Sequence, residues 1–123
     1  MHFSYWMILV AASLPYVMSV AAKSGAGIEN ARPRVGLQGL QGWRQRANWA
    51  QLNHFEAFPA FAAAVLVAEL AHAPQHWIDI LAGLFVVMRV GYGAAYIGDG
   101  AALRSSFWFG GILCVIALFF IGI

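Results

Sequence analysis

The chain has 123 residues, 62% of them hydrophobic and 10% charged, with a formal net charge of +2. A typical soluble domain is about 25% charged, so a water-soluble fold of this size could not cover its surface. So small a net charge gives no reason to expect a nucleic-acid partner. The composition points to an all-α integral membrane protein whose first partner is the lipid bilayer.

Residues 3–22 carry no charge. As a helix rising about 1.5 Å per residue they span about 30 Å, the thickness of a bilayer core. Pro15 interrupts this run and frees the carbonyl of Ala11, so a kink is expected. The rival reading, a cleaved signal peptide, has two points against it. No Lys or Arg precedes the run, and the run exceeds the usual apolar region of about 7–15 residues. Residues 23–40, KSGAGIENARPRVGLQGL, read as a loop in which Gly, Asn and Pro break any period. A second helix is expected over 41–71, polar at first and then apolar through AFPAFAAAVLVAEL, stopped by Ala73-Pro74. A third covers 75–97. Gly98, Asp99 and Gly100 form a turn, and a fourth helix covers 101–122. Residues 1–123 are thus expected to form a single four-span transmembrane domain, a four-helix bundle. Cys114 is the sole cysteine, so no intramolecular disulfide is possible.

Five of the seven basic residues (Lys23, Arg32, Arg34, Arg44 and Arg46) fall in one polar stretch, and none lies between His72 and His76. The positive-inside rule places the first loop in the cytoplasm and both termini outside. A bacterial inner membrane is the expected location.

Several polar residues fall within the expected spans. A charged group at mid-helix depth costs about 2.5–3.5 kcal/mol and should find a partner inside the bundle. Asn53 and Glu56 are three apart and share a helix face. Arg46, seven before Asn53, and Gln51 close by extend that polar face toward the cytoplasm. Arg89, Tyr92 and Tyr96, at i, i+3 and i+7, share a face of the third helix. Arg104 lies in the first turns of the fourth, followed by Ser105 and Ser106. All belong to the cytoplasmic halves of their helices, so they can converge on one polar pocket. Its donors would suit carboxylates and a thiolate, and Glu56 an ammonium group. A purely structural reading stands beside this one. Glu56 and Arg89 could be a buried ion pair, Asn53 a polar tie between helices, and Tyr92 and Tyr96 interfacial aromatics. His54 reads as a helix-surface or loop-packing residue. His72 and His76 flank Pro74, which breaks the helix that would align them, so no metal site is expected. Glu69 and Asp79 lie near the outer boundary and should reach water.

The stretch N-x-x-E-x-F-P-x-F, Asn53 to Phe61, resembles the second-helix signature of the MAPEG family, membrane-associated proteins of eicosanoid and glutathione metabolism. Arg46, Ala50 and Gln51 fit the same pattern. So do Arg89, Tyr92 and Tyr96 in R-x-x-Y-x-x-x-Y, and Leu103-Arg104-Ser105. The resemblance covers nearly the whole chain. It implies a homotrimer of four-helix bundles, with glutathione bound as co-substrate between neighbouring subunits and open to the cytoplasm. It assigns Asn53 and Glu56 to the tripeptide, with Arg46, Gln51, Arg89, Tyr92 and Tyr96 beside them, and Arg104 to the catalytic task of stabilising the thiolate. The implied activity is that of a transferase or peroxidase acting on hydrophobic small-molecule electrophiles. The chemistry is coherent. A free thiol has a pKa of about 8.5, and an arginine near a helix N-terminus favours the ionised form.

Two positions depart from the pattern. Trp49 stands where family enzymes often carry arginine, and Ala57 where many carry tyrosine. Both changes remove polar contacts to the tripeptide and favour the alternative, a non-catalytic lipid-binding or scaffold member. A small proton-coupled exporter would be expected to carry a carboxylate in the first span, and residues 3–22 have none.

Overall fold

The structure, a computed structural model, describes all residues 1–123. It contains five helices and no strand: α1 (Phe3–Lys23), α2 (Pro33–Gln38), α3 (Gly42–Leu70), α4 (Gln75–Ile97) and α5 (Ala101–Ile121). The four long helices fall where the sequence places them. α2 differs, lying within the segment expected to be a loop. Pro33 occupies its first turn, where the missing N–H has no helical partner to lose. Leu37 then anchors it, buried in a small cluster with Ala22 of α1 and Ala47 of α3. Six residues are too few to show a period. Arg44 ties the same segment down by donating from Nε to the Ser24 carbonyl at 2.8 Å.

α1 and α3 continue as helix through Pro15 and Pro59, so neither proline ends its helix. α3 and α4 stop by the same device. The Ala73 amide donates to Ala68 O and the His72 amide to Glu69 O, each at 3.1 Å. At the end of α4, Gly100 donates to Ala95 O and Asp99 to Tyr96 O. Each pair satisfies the last carbonyls of its helix in a Schellman motif. The residue that must turn left-handed is non-glycine in both cases, His72 at φ 55° and Asp99 at φ 62°.

The chain folds up and down, α1 packing chiefly on α3 and α4 chiefly on α5, with α3 touching both α4 and α5. Phe61 of α3 stacks on Phe85 of α4 at 3.9 Å between ring centroids, and Val65, Ile78 and Leu118 are fully buried around them. Many large apolar side chains point outward, among them Val20, Leu70, Val87, Phe109 and Phe120. So extensive an apolar surface requires lipid or another protein surface against it. Three helices, α1, α4 and α5, are long and apolar enough to cross a membrane. α3 does not join them, because its first half carries Arg44, Arg46, Asn48, Asn53, His54 and Glu56.

At one end of the bundle a polar network holds three helices together. Ser4 Oγ donates to Glu69 Oε1 at 2.6 Å, and the Ser4 amide in the first turn of α1 donates to Asp79 Oδ1 at 3.0 Å. Gln75 Nε2 donates to both carboxylates, and His2 meets the other Glu69 oxygen. Glu69, expected to reach water, is instead only 9% exposed. Its oxygens supply acceptors to donors from α1 and α4, which explains its withdrawal from solvent.

Candidate functional site

The polar residues of α3 and α4 meet near the opposite end, around Arg89. This arginine is 2% exposed. It lies about two-thirds of the way along α4, on the same face as Tyr92 and Tyr96. Its Nη2 donates to Asn53 Oδ1 at 2.8 Å. Nε and Nη2 both reach His54 Nδ1, at 3.1 and 3.0 Å. The guanidinium carbon lies 4.2 Å from the Tyr92 ring centroid, close enough for cation–π attraction. Asn53 Nδ2 then donates to Glu56 Oε2 at 3.3 Å.

The Glu56–Arg89 ion pair of the purely structural reading does not form. Glu56 is exposed and makes no salt bridge. Asn53 stands between the two, accepting from the arginine and donating to the carboxylate. His54 also differs from its expected place. It is 3% exposed, packed edge-on to Tyr92, and serves as an acceptor for Arg89. The sequence offered one cue, a ring nitrogen adjacent to Asn53, since a long guanidinium can reach both neighbours.

Tyr92 and Tyr96 make an edge-to-face pair at 5.6 Å. Tyr96 also packs against Trp49 of α3 and carries the Arg104 guanidinium 4.7 Å from its ring centroid. A cleft of about 420 Å³ is lined by Trp49, Leu52, Asn53, Glu56, Tyr92 and Tyr96. A second, of about 250 Å³, is lined by Tyr92, Tyr96, Arg104, Ser105, Trp108 and Phe109. Shared tyrosines join the two into one surface with the exposed Glu56 carboxylate at one side and the Arg104 guanidinium at the other. Ser105 lines it, whereas Ser106 bonds back to the Ala102 carbonyl of its own helix. Ala57 is half-buried against the core.

Arg46 and Gln51 lie elsewhere. Arg46 Nε donates to Ile97 O at 3.0 Å, satisfying a carbonyl in the last turn of α4. Gln51 lines a third cleft, about 390 Å³, with Arg34, Gln38, Asn48, Leu52 and Phe55. Gln51 is expected on the Asn53 face, but residues two positions apart on a helix differ by about 200°, so the two face nearly opposite ways. The Gln51 Oε1 is buried without a partner.

An all-helical chain with three apolar spans and an apolar exterior is an integral membrane protein. The chain belongs to the MAPEG family, whose model matches residues 3–123. The comparison with curated proteins finds no match.

Proposed function

We propose that this chain is a glutathione-dependent transferase or peroxidase acting on apolar electrophiles in the membrane. The observation that carries the reading is the joined cleft, in which Asn53, Glu56, Tyr92, Tyr96 and Arg104 line one surface, in a chain of this family. In this reading Glu56 receives the tripeptide's ammonium, Asn53 holds its polar backbone, and Tyr92 and Tyr96 form the floor. Arg104 faces the thiol. It lies in the first turn of α5, so its charge adds to the positive end of the helix dipole and favours the thiolate. Trp108 and Phe109 give the same region an apolar wall suited to an electrophile arriving from lipid. Arg89 acts from behind, through Asn53 and Tyr92.

The reading includes a four-span bundle. α3 has 29 residues, about 43 Å of helix, enough to span with its polar first half held inside an assembly. It also includes a homotrimer. Gln51 belongs to a cleft on the other flank of α3 that meets the first only at Leu52. Residues assigned to one ligand therefore lie on two surfaces of a single chain, as they must if neighbouring copies supply the two halves. In this reading the glutathione end faces the cytoplasm of a bacterial inner membrane with both termini outside; the basic stretch from Lys23 to Arg46 supports that orientation.

Trp49 supports the second reading, a non-catalytic lipid-binding or scaffold member, because an indole lines the cleft beside Tyr96 where an arginine would offer the tripeptide its donors. Native mass spectrometry in detergent, paired with a glutathione-conjugation assay, separates the two. A trimer that retains glutathione and conjugates it to an aromatic halide supports the enzyme. A trimer that retains none and shows no conjugation supports the second reading.

A further inference from the structure

We propose that His54 is a positioning residue for the glutathione cleft: it seats Arg89, and Arg89 in turn sets the orientation of the Asn53 carboxamide. The proposal rests on the glutathione reading of that cleft. It deepens that reading by assigning a role to a residue that lies outside the cleft wall.

The argument starts from the donors. A guanidinium has five N–H groups and accepts nothing. Both Arg89 contacts to His54 Nδ1, at 3.1 and 3.0 Å, therefore require Nδ1 to be an unprotonated acceptor. That fixes the proton on Nε2. Yet Nε2 is buried and has no partner. A Cβ at Gly93 would fall 3.4 Å from it and 3.3 Å from Met18 Cε, so the imidazole edge is packed against α4 beside the α1 methionine. An unpaired buried N–H is unfavourable. A leucine would fill this space without that penalty. The chain keeps an imidazole here, and the imidazole's one productive bond is the acceptor it presents to Arg89.

The consequence runs outward along a directed chain of hydrogen bonds. Arg89 occupies Asn53 Oδ1, so the amide cannot flip without setting its NH2 against the guanidinium. Asn53 Nδ2 is thereby turned toward Glu56 and the open cleft. Without the Nδ1 acceptor, Arg89 is held only by Asn53 and the Tyr92 face, and Asn53 loses its fixed orientation.

The test uses the full-length protein and three variants that differ in where an acceptor sits. The Oδ1 of asparagine occupies nearly the place of imidazole Nδ1, whereas glutamine carries its oxygen one carbon further out. His54→Leu removes the acceptor and His54→Gln misplaces it. Both should raise the glutathione Kd roughly tenfold, as loss of one bond to a charged group does. His54→Asn should restore it to within about threefold of wild type. The thiolate absorbance per bound glutathione should be unchanged in all three, because Arg104 is untouched. If His54→Leu does not fold, the asparagine and glutamine variants still decide the matter. Equal binding by those two, or wild-type binding by a folded His54→Leu, overturns the proposal. Failure of the wild-type protein to bind glutathione would instead remove the cleft reading on which it stands.

Discussion

Arg89 of α4 donates to Asn53 of α3 at 2.8 Å, and Asn53 passes its own amide hydrogen to Glu56 at 3.3 Å. One carboxamide thus couples a buried cation to an exposed carboxylate on the cleft. Asn53→Ala strands one guanidinium donor in the bundle and frees Glu56. The expected cost is about 1–3 kcal/mol, read as a lower unfolding temperature in detergent. Glutathione retention should fall with it.

Ser4 works at the other end, where its hydroxyl meets Glu69 and its amide meets Asp79. Ser4→Ala removes a bond to a charged group and should cost about 2 kcal/mol. The site lies at the far end of the bundle, so glutathione affinity should stay at the wild-type value. Thermal unfolding and a binding titration on the same sample check both halves.

His72 adopts a left-handed backbone at φ 55° to close the end of α3. L-residues pay for this conformation and glycine does not. His72→Gly should therefore raise stability by about 1 kcal/mol, net of the extra freedom glycine gains when unfolded. A rise in unfolding temperature with unchanged activity is the expected result.

Phe61 is fully buried and stacked on Phe85. Lipid is as apolar as the bundle interior, so the transfer term is small in a membrane. The cavity term remains. At about 24 cal/mol per Å³ over roughly 100 Å³, Phe61→Ala should cost about 2 kcal/mol. Phe61→Leu, which leaves a smaller void, should cost less. Unfolding in a denaturing detergent compares them.

The long helices were legible because uninterrupted apolar runs bounded by Gly and Pro leave little choice. The helix α2 was not, since Pro33, Gly36 and Gly39 mask a single turn and a half whose order comes from burying Leu37. The shared faces of Asn53 with Glu56, and of Arg89 with Tyr92 and Tyr96, followed from helical spacing alone. Which acceptor Arg89 would choose did not follow. Charge pairing pointed to Glu56, but the guanidinium reaches the neutral acceptors Asn53 and His54, whose positions depend on how α3 and α4 are rotated against each other. The polar pattern of the sequence sets Gln51 on the Asn53 face, but residues two apart differ by about 200° around a helix, and Gln51 turns to the other flank. That Arg46 would bond to the end of α4 depended on the tertiary fold.

The central claim is that Arg104 holds glutathione as its thiolate. The ultraviolet absorbance of the thiolate, recorded as glutathione is titrated into the purified protein at neutral pH, tests it most directly. The wild-type protein should develop this band on binding, and Arg104→Ala should retain glutathione while losing the band, the thiol pKa returning upward by about 1–3 units. A band of wild-type height in Arg104→Ala, or none in the wild-type protein at saturating glutathione, would contradict the account.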